Sequence, residues 1–230
     1  MLAEPDPQRN LFQGERFAAH DGHVREFDQG WSQFSILTGY SMGMPSEIWL
    51  VRHGETEWSR SGQHTSRTDL PLTPEGERQA ASLKRMLAGR AFALVLSSPM
   101  KRAVDTCRRV GLTPELSDDL LEWNYGDYEG LTTADIQKRV PGWTIWTGAP
   151  PNGETVEQVA ARADSAISRA LSATGDVAFF GHGHYLRVLA ALWLGLDPSG
   201  GRLLALSTAS LSVLGHERET RVIRLWNQTA

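Results

Sequence analysis

Three short stretches, far apart along the chain, carry side chains suited to handling a phosphoryl group. Arg52 and His53 follow the apolar run Ile48–Val51, Ser97, Ser98 and Arg102 follow the apolar stretch 92–96, and His182-Gly183 ends the sequence DVAFFGHG. A guanidinium is a planar, fork-shaped donor that matches the equatorial oxygens of a phosphoryl group, and two of them can neutralise it together. A neutral imidazole among such cations is a competent nucleophile toward phosphorus. Positive charge beside His53 is expected to lower its pKa below the ordinary value of about 6.5 and keep it unprotonated. The helices beginning after Ser98-Pro99 and after His182-Gly183 are placed to aim backbone N–H groups at an anion. A proton donor for a leaving alcohol remains to be supplied.

These residues can meet only if the surrounding elements bring them together. EIWLVR, FALVLSS (92–98) and DVAFFGH read as buried strands, each a short run of apolar and β-branched or aromatic residues. Thr73-Pro74 pairs a cap with a first-turn proline and predicts a helix to about Gly89, with Ala80, Leu83 and Leu87 on one face. Ser98-Pro99 repeats the device and predicts a helix ending near Gly111. A short helix is expected around 132–139, then a loop rich in Trp, Pro and Gly at 141–153. The stripe Val156, Val159, Ala160, Ala163, Ile167, Ala170 and Leu171 predicts a helix over about 154–173. An apolar helix follows Gly183 to about Gly195, and two strands at about 209–216 and 220–226 flank a polar turn containing Glu217–Glu219.

Strands alternating with helices in this way indicate an α/β fold: a three-layer αβα sandwich around a mostly parallel sheet. Ligands of such sheets bind beyond the carboxyl ends of the strands. Each of the three stretches lies at such an end, so two arginines and two histidines converge on one edge.

Composition narrows the function classes. A chain of 230 residues, 40% hydrophobic, can build one large core. A net charge of −4 argues against a nucleic-acid partner bound through phosphate neutralisation. No apolar run reaches the length of a membrane span, and MLAEPDPQRN lacks the basic and apolar regions of a signal peptide. The lone Cys107 excludes an internal disulfide and fits a reducing, cytoplasmic location. The excess of arginine over lysine reads as codon bias. Residues 1–45 show no sustained periodicity and read as a flexible or loosely docked extension, or as an upstream start foreign to the native chain. The competing reading is a lid or partner-binding arm using Trp31, Phe34 and Tyr40. Residues 46–230 form the expected catalytic domain.

LVRHGETEW, LSSPMKRAVDT, LLEWNYGDYEG and FFGHGH, in this order and spacing, resemble the histidine phosphatase superfamily, whose fold is phosphoglycerate-mutase-like. The resemblance covers roughly residues 47–226. It implies that His53 is the nucleophile that becomes phosphorylated, that Arg52, Arg102 and His182 hold the phosphoryl group, and that Glu122 is the general acid. Gly54 matches the residue whose carbonyl orients the nucleophilic imidazole. Ser59, Thr65, Ser66 and Gly183 become candidate substrate or phosphate contacts. EWSRSGQHT, TDLPLT and EWNYGDYEGLTT are similar to the acid phosphatase and sugar bisphosphatase branch. The mutase pattern has Asn at Ser59 and Gly at Ser66, and a longer segment after the general acid with an arginine pair, where this chain offers only Lys138-Arg139.

The expected activity is therefore metal-independent hydrolysis of small phosphomonoesters, with no cofactor. The partner is a small phosphorylated metabolite, neither nucleic acid nor membrane, and a homodimer is left open. The alternatives are a mutase dependent on 2,3-bisphosphoglycerate and a non-catalytic phospho-ligand binder. An acidic optimum follows from the proton Glu122 must donate in the first step. Specificity is expected to lie in 59–69 and 130–153.

Other polar residues invite blander readings. His182 and His184 have a spacing found in metal sites, but no acidic cluster accompanies them, and no metal is expected. His184 reads as packing, and His64 as lining the substrate mouth or a surface loop. Glu55 reads as structural, and Asp127 and Glu129 receive no chemistry. Trp123, Tyr125, Trp143 and Trp146 read as core, with one or two walling the pocket. Cys107 reads as an inert buried thiol.

Overall fold

The computed structural model describes residues 47–230. The expectations for residues 1–45, including an arm built on Trp31, Phe34 and Tyr40, lie outside the described residues.

Six strands form one sheet in the order β3-β2-β4-β1-β5-β6, with β1 at Ile48–Arg52, β2 at Leu94–Ser97, β3 at Glu115–Leu116, β4 at Val177–Gly181, β5 at Leu211–Glu217 and β6 at Thr220–Gln228. The four strands from β3 to β1 are parallel, and β5 and β6 run antiparallel at the other edge. The sheet is therefore mixed but mostly parallel, and its four parallel strands carry the candidate site.

Alternation along the central strands explains the layering, because successive side chains point to opposite faces. Ile48 and Leu50 of β1 and Val177 and Phe179 of β4 face one core, which is closed by Val159, Ala163 and Ile167 of α5 (Val156–Leu171) and by Leu186 and Leu189 of α6 (Gly183–Trp193). Trp49, Val51, Ala178 and Phe180 face the other core. There they meet Leu83 and Leu87 beyond α2 (Pro74–Ser82), and Cys107 of α3 (Lys101–Arg109). Strands buried on both faces read as unbroken apolar runs, which is why β1 and β4 were legible.

Helix ends depart from the sequence reading in instructive ways. α2 stops at Ser82 and the chain tightens into a 3₁₀ turn at Leu83–Arg85, which still turns Leu83 and Leu87 inward. Ser98-Pro99 does not cap α3. The helix begins at Lys101, and the Asp69 carboxylate accepts its N–H at 2.8 Å. Thr73 and Thr155 do cap α2 and α5, the latter in a reciprocal box with Gln158. Between 132 and 139 the helix is the single short α4 (Thr133–Gln137). Several short elements escaped the sequence reading, among them the two-residue edge strand β3 and α1 (Glu57–Ser61), a five-residue helix. Neither is long enough to show a period. Among the described residues no helix is long and apolar enough to cross a membrane.

Candidate active site

Strand register assembles the site. Arg52 pairs with Gly181 across β1 and β4, and Ser97 pairs with Phe180 across β2 and β4. The next residues of the three strands, His53, His182 and Ser98, therefore emerge side by side. The N–H of His53 donates to the Gly181 carbonyl at 3.0 Å, and the N–H of Ser98 to the Phe180 carbonyl at 2.9 Å. The His53 and His182 rings lie edge to face with centroids 5.1 Å apart.

The tautomer of His53 is set by its neighbour. Its Nδ1 lies 2.7 Å from the Gly54 carbonyl oxygen, which can only accept, so the proton sits on Nδ1 and Nε2 keeps its lone pair. The Gly54 N–H is held in turn by Thr106 Oγ1 at 3.1 Å. Gly54 is required here for space: a Cβ would come within 2.3 Å of the Gly76 carbonyl oxygen, and a Cβ on Gly76 within 2.0 Å of the Glu55 carbonyl oxygen. Two glycines let the turn after His53 cross the start of α2. Glu55 has a structural place, accepting from Thr73 Oγ1 at 2.8 Å.

Arg102 is completely buried, and most of its donors are used within the protein. Its Nε–H donates to His182 Nδ1 at 3.2 Å, Nη1 to the Thr68 carbonyl at 3.1 Å, and Nη2 to the carbonyls of Ser66 at 3.0 Å and Thr65 at 3.4 Å. Because His182 Nδ1 accepts, its Nε2 carries the proton and donates to Ser98 Oγ at 2.8 Å. His182 thereby fixes the plane of the Arg102 fork. Arg52 is different. Among the described residues its guanidinium donates only to the Leu206 carbonyl, and its buried Nε has no partner. A buried guanidinium N–H without a partner is a donor of the kind an anion satisfies.

Burial is the largest cause of the electrostatics, ahead of the neighbouring cations that the sequence reading relied on. It drives His53 and His182 well below the ordinary 6.5, and Arg102 and Arg52 add to the depression of both. The imidazoles are therefore neutral at physiological pH. Burial also lowers both arginines from their ordinary value, with Glu122 opposing.

Glu122, 5% exposed, is held by three backbone N–H groups: those of Trp123 at 2.9 Å and Tyr185 at 2.8 Å to Oε1, and that of His184 at 3.1 Å to Oε2. Two of the N–H groups at the start of α6, those of His184 and Tyr185, are thus engaged by the Glu122 carboxylate, an internal ligand of that helix end. At α3 the first N–H is taken by Asp69.

The remaining candidates sort by geometry. Ser66 is buried, its Oγ donating to the Glu122 carbonyl at 3.3 Å, and its own carbonyl holds Arg102. Thr65 contributes its carbonyl to Arg102, while its hydroxyl turns to the Gln63 carbonyl at 3.2 Å. Ser59 uses its side chain in the capping box of α1, accepting from the Thr56 N–H at 2.8 Å. Gly183 begins α6 directly over Arg52, where a Cβ would lie 3.1 Å from the guanidinium carbon.

Beside this site stands a cluster whose members the sequence divides between core packing and the substrate mouth. Tyr125 Oη and His184 Nδ1 are 2.6 Å apart, and the His64 ring lies 4.5 Å from Tyr125 and 5.7 Å from Trp143. Burial brings His64 down to about 4, so it is an uncharged wall. Trp123, Tyr125 and Trp143 are buried, and Trp146 is half-buried under Arg187, whose guanidinium lies 4.6 Å from the ring centre. His182 and His184 do not converge as a ligand pair: the nitrogens of His182 face Arg102 and Ser98, and Nδ1 of His184 faces Tyr125. Cys107 is buried and its thiol is pushed up to about 12. Glu129 was missed. Its Oε1 accepts from the N–H groups of Ser66 at 2.9 Å and Thr68 at 2.8 Å, organising the loop whose carbonyls grip Arg102. Only the three-dimensional pairing reveals it.

An α/β sheet that presents a neutral imidazole, a second histidine and two guanidinium groups at one edge defines a protein built to receive a phosphoryl group. Residues 48–229 match the histidine phosphatase superfamily (branch 1), and the chain belongs to that family: it is a phosphatase with the phosphoglycerate-mutase-like fold. It is 40% identical to the acid phosphatase of Mycobacterium tuberculosis over 185 residues, 78% of this chain and 91% of that protein. It is 37% identical to the sedoheptulose 1,7-bisphosphatase of Saccharomyces cerevisiae over 182 residues, 64% of this chain and 67% of that one. Among solved structures, that of the open reading frame Rv3214 from Mycobacterium tuberculosis superposes with a TM-score of 0.76 at 39% identity, covering 80% of this chain and 97% of the other.

Proposed function

We propose that the chain hydrolyses small phosphomonoesters without a metal ion, through a phosphohistidine on His53. One observation carries the reading: His53 is held as the Nδ1–H tautomer, which leaves Nε2 free to attack, in the field of the Arg52 guanidinium, whose buried Nε lacks a partner among the described residues. In the first step His53 Nε2 attacks phosphorus, the P–O ester bond breaks, and the Glu122 carboxyl proton passes to the departing alkoxide. In the second, water attacks phosphorus and gives its proton to Glu122, and the P–N electron pair returns to Nε2. Arg52 and Arg102 neutralise the equatorial oxygens throughout, the charge stabilisation a metal supplies in other phosphoryl-transfer sites.

The partner this reading implies is a small phosphorylated metabolite, met in the cytoplasm. The acid phosphatase and sugar bisphosphatase relatives support that class. Lys138 and Arg139 do not favour the mutase alternative: both are exposed, and Lys138 is paired with Asp135 at 2.6 Å.

The test is trapping. Brief exposure to a labelled phosphomonoester followed by alkaline denaturation should leave base-stable, acid-labile phosphate on the protein, absent from His53→Ala. Phosphate release should persist in EDTA across a panel of sugar phosphates, glycerates and nucleotides. Turnover without a trapped phosphoenzyme, or label retained in His53→Ala, would overturn the mechanism.

A further inference from the structure

We infer that the ion pair between Glu154 and Arg162 is a positioning device for the general acid. This rests on the reading of Glu122 proposed above. Arg162 lies in α5, and its hydrogen bonds among the described residues go to none of those proposed to hold phosphate. Its guanidinium grips the Glu154 carboxylate with both prongs, Nε to Oε1 at 2.8 Å and Nη2 to Oε2 at 2.9 Å. Its third corner, Nη1, donates to the carbonyls of Asp119 at 2.8 Å and Leu121 at 3.0 Å. Leu121 is the residue directly before Glu122.

Glu154 holds the other flank. Its Oε2 accepts the Asn124 N–H at 2.8 Å, its N–H donates to the Asn124 carbonyl at 2.9 Å, and its own carbonyl accepts from the Trp123 indole at 2.8 Å. Segment 119–124 is thus fixed on both sides of Glu122 by one partly buried pair, both side chains mostly covered at 20% and 17% exposure. A further tie runs from Ser165 Oγ of α5 to the Asp119 carboxylate at 2.8 Å. The Arg162 guanidinium also lies 5.2 Å from the centre of the Tyr185 ring, and the Tyr185 N–H is one of the three donors on the Glu122 carboxylate. The segment has no regular structure apart from a single 3₁₀ turn at Asp118–Leu120. Among the described residues, the other side-chain ties on its backbone are those of Ser66 Oγ to the Glu122 carbonyl and of Glu122 Oε1 to the Trp123 N–H.

Planar, bidentate, partly buried pairing is the use of arginine that lysine does not reproduce. The backbone it fixes must hold a carboxyl group within hydrogen-bonding reach of one leaving oxygen, where a displacement of about 1 Å can cost on the order of 10²-fold in rate.

A readout separates positioning from general structural support. A general acid matters most when the leaving group is a poor one, such as an alkoxide. It matters little for 4-nitrophenolate, which is stable as its anion near neutral pH. kcat/KM reports steps only through formation of the phosphoenzyme, so the later role of Glu122 with water does not enter. Arg162→Met should lower kcat/KM for an alkyl phosphate such as glycerol phosphate by roughly 10- to 100-fold, with a much smaller loss for 4-nitrophenyl phosphate. Glu154→Gln, which keeps an oxygen acceptor for the Asn124 N–H and nearly the same volume, should show the same selectivity in weaker form. It carries the test where Arg162→Met does not fold. Glu122→Gln is the reference. If Glu122→Gln shows leaving-group selectivity and the Arg162 and Glu154 variants lose both substrates equally, the positioning role is refuted. If Glu122→Gln itself shows no selectivity, it is the general-acid reading that falls.

Discussion

Arg52 and Arg102 are both proposed to hold the phosphoryl group, yet their protein partners predict opposite effects on the stability of the empty enzyme. Arg102, itself completely buried, donates to His182 Nδ1 and to three loop carbonyls, those of Thr65 and Thr68 only partly covered. Arg102→Met deletes four bonds from a charged donor, each contributing about 1.5–3 kcal/mol, and leaves buried acceptors unpaired. Relief of the guanidinium's own desolvation, several kcal/mol, offsets part of this, so the net loss should be about 3–5 kcal/mol. Arg52 donates to the Leu206 carbonyl alone, and its buried Nε is unpartnered. Arg52→Met removes one bond and an uncompensated desolvation, so apo stability should hold or rise by about 0.5–2 kcal/mol. Both variants should lose on the order of 10²–10³ in kcat. Urea unfolding followed by tryptophan fluorescence, with and without inorganic phosphate, measures this directly. Saturating phosphate at about 100 times its Kd should add about 2.7 kcal/mol to the wild type and little to either variant. If Arg52→Met destabilises the apo protein as much as Arg102→Met does, the guanidinium we describe as waiting for its anion is instead a structural one, and the argument fails.

Three more outcomes follow from the same geometry. His53, His182 and His184 are depressed well below 6.5 and His64 to about 4, chiefly by burial, so the unfolded chain binds protons that the folded one refuses. Their stabilisation is present above about pH 6.5 and is lost as pH falls toward the folded-state values, at about 1.4 kcal/mol per pH unit for each. Melting points measured from pH 7 down to about 5 should therefore drop steeply, and a flat profile would contradict the burial of these rings. Glu129→Ala should strand the Ser66 and Thr68 N–H groups, cost about 1–3 kcal/mol and raise KM through a loosened Arg102. Glu129→Gln, which keeps the acceptor oxygen, should restore most of both, and equal damage from the two variants would refute the role. Gly183→Ala should leave α6 as stable or up to about 1 kcal/mol better. The new methyl presses on the Arg52 guanidinium, so phosphate affinity should weaken roughly tenfold, as titration calorimetry would show.

The legible part of this protein was the part set by periodicity and strand ends. β1 and β4 are buried on both faces, so their apolar runs stand out, and the residues that follow them had to share one edge. Illegible were the contacts made by loops. Asp69 taking over the α3 cap, Gly76 making room for Gly54, and Glu129 bracing the Arg102 loop each join residues whose pairing no spacing announces. Ser59 shows the converse: a residue noticed for its place in a motif has its hydroxyl engaged in a local cap that the sequence S-x-x type signal would have suggested only once α1 was recognised. The cause of the His53 shift was also misjudged. Charge was visible in the sequence, but burial, the larger cause, depends on the folded packing.

The start of α6 shows how the two halves of the reaction divide the available electrostatics. A helix N-terminus is a natural seat for phosphate, and the sequence suggested that use. In the structure its His184 and Tyr185 N–H groups are taken by Glu122. Those two N–H groups therefore serve the carboxylate, and in the proposed mechanism the phosphoryl charge is met by the two guanidinium groups. The division makes each group's support separable: Glu122 is fixed by α6 and by the segment that Glu154 and Arg162 clamp, whereas Arg102 is fixed by His182 and the loop that Glu129 organises. Damage to the first set should appear in the dependence on leaving group, and damage to the second in the affinity for phosphate itself.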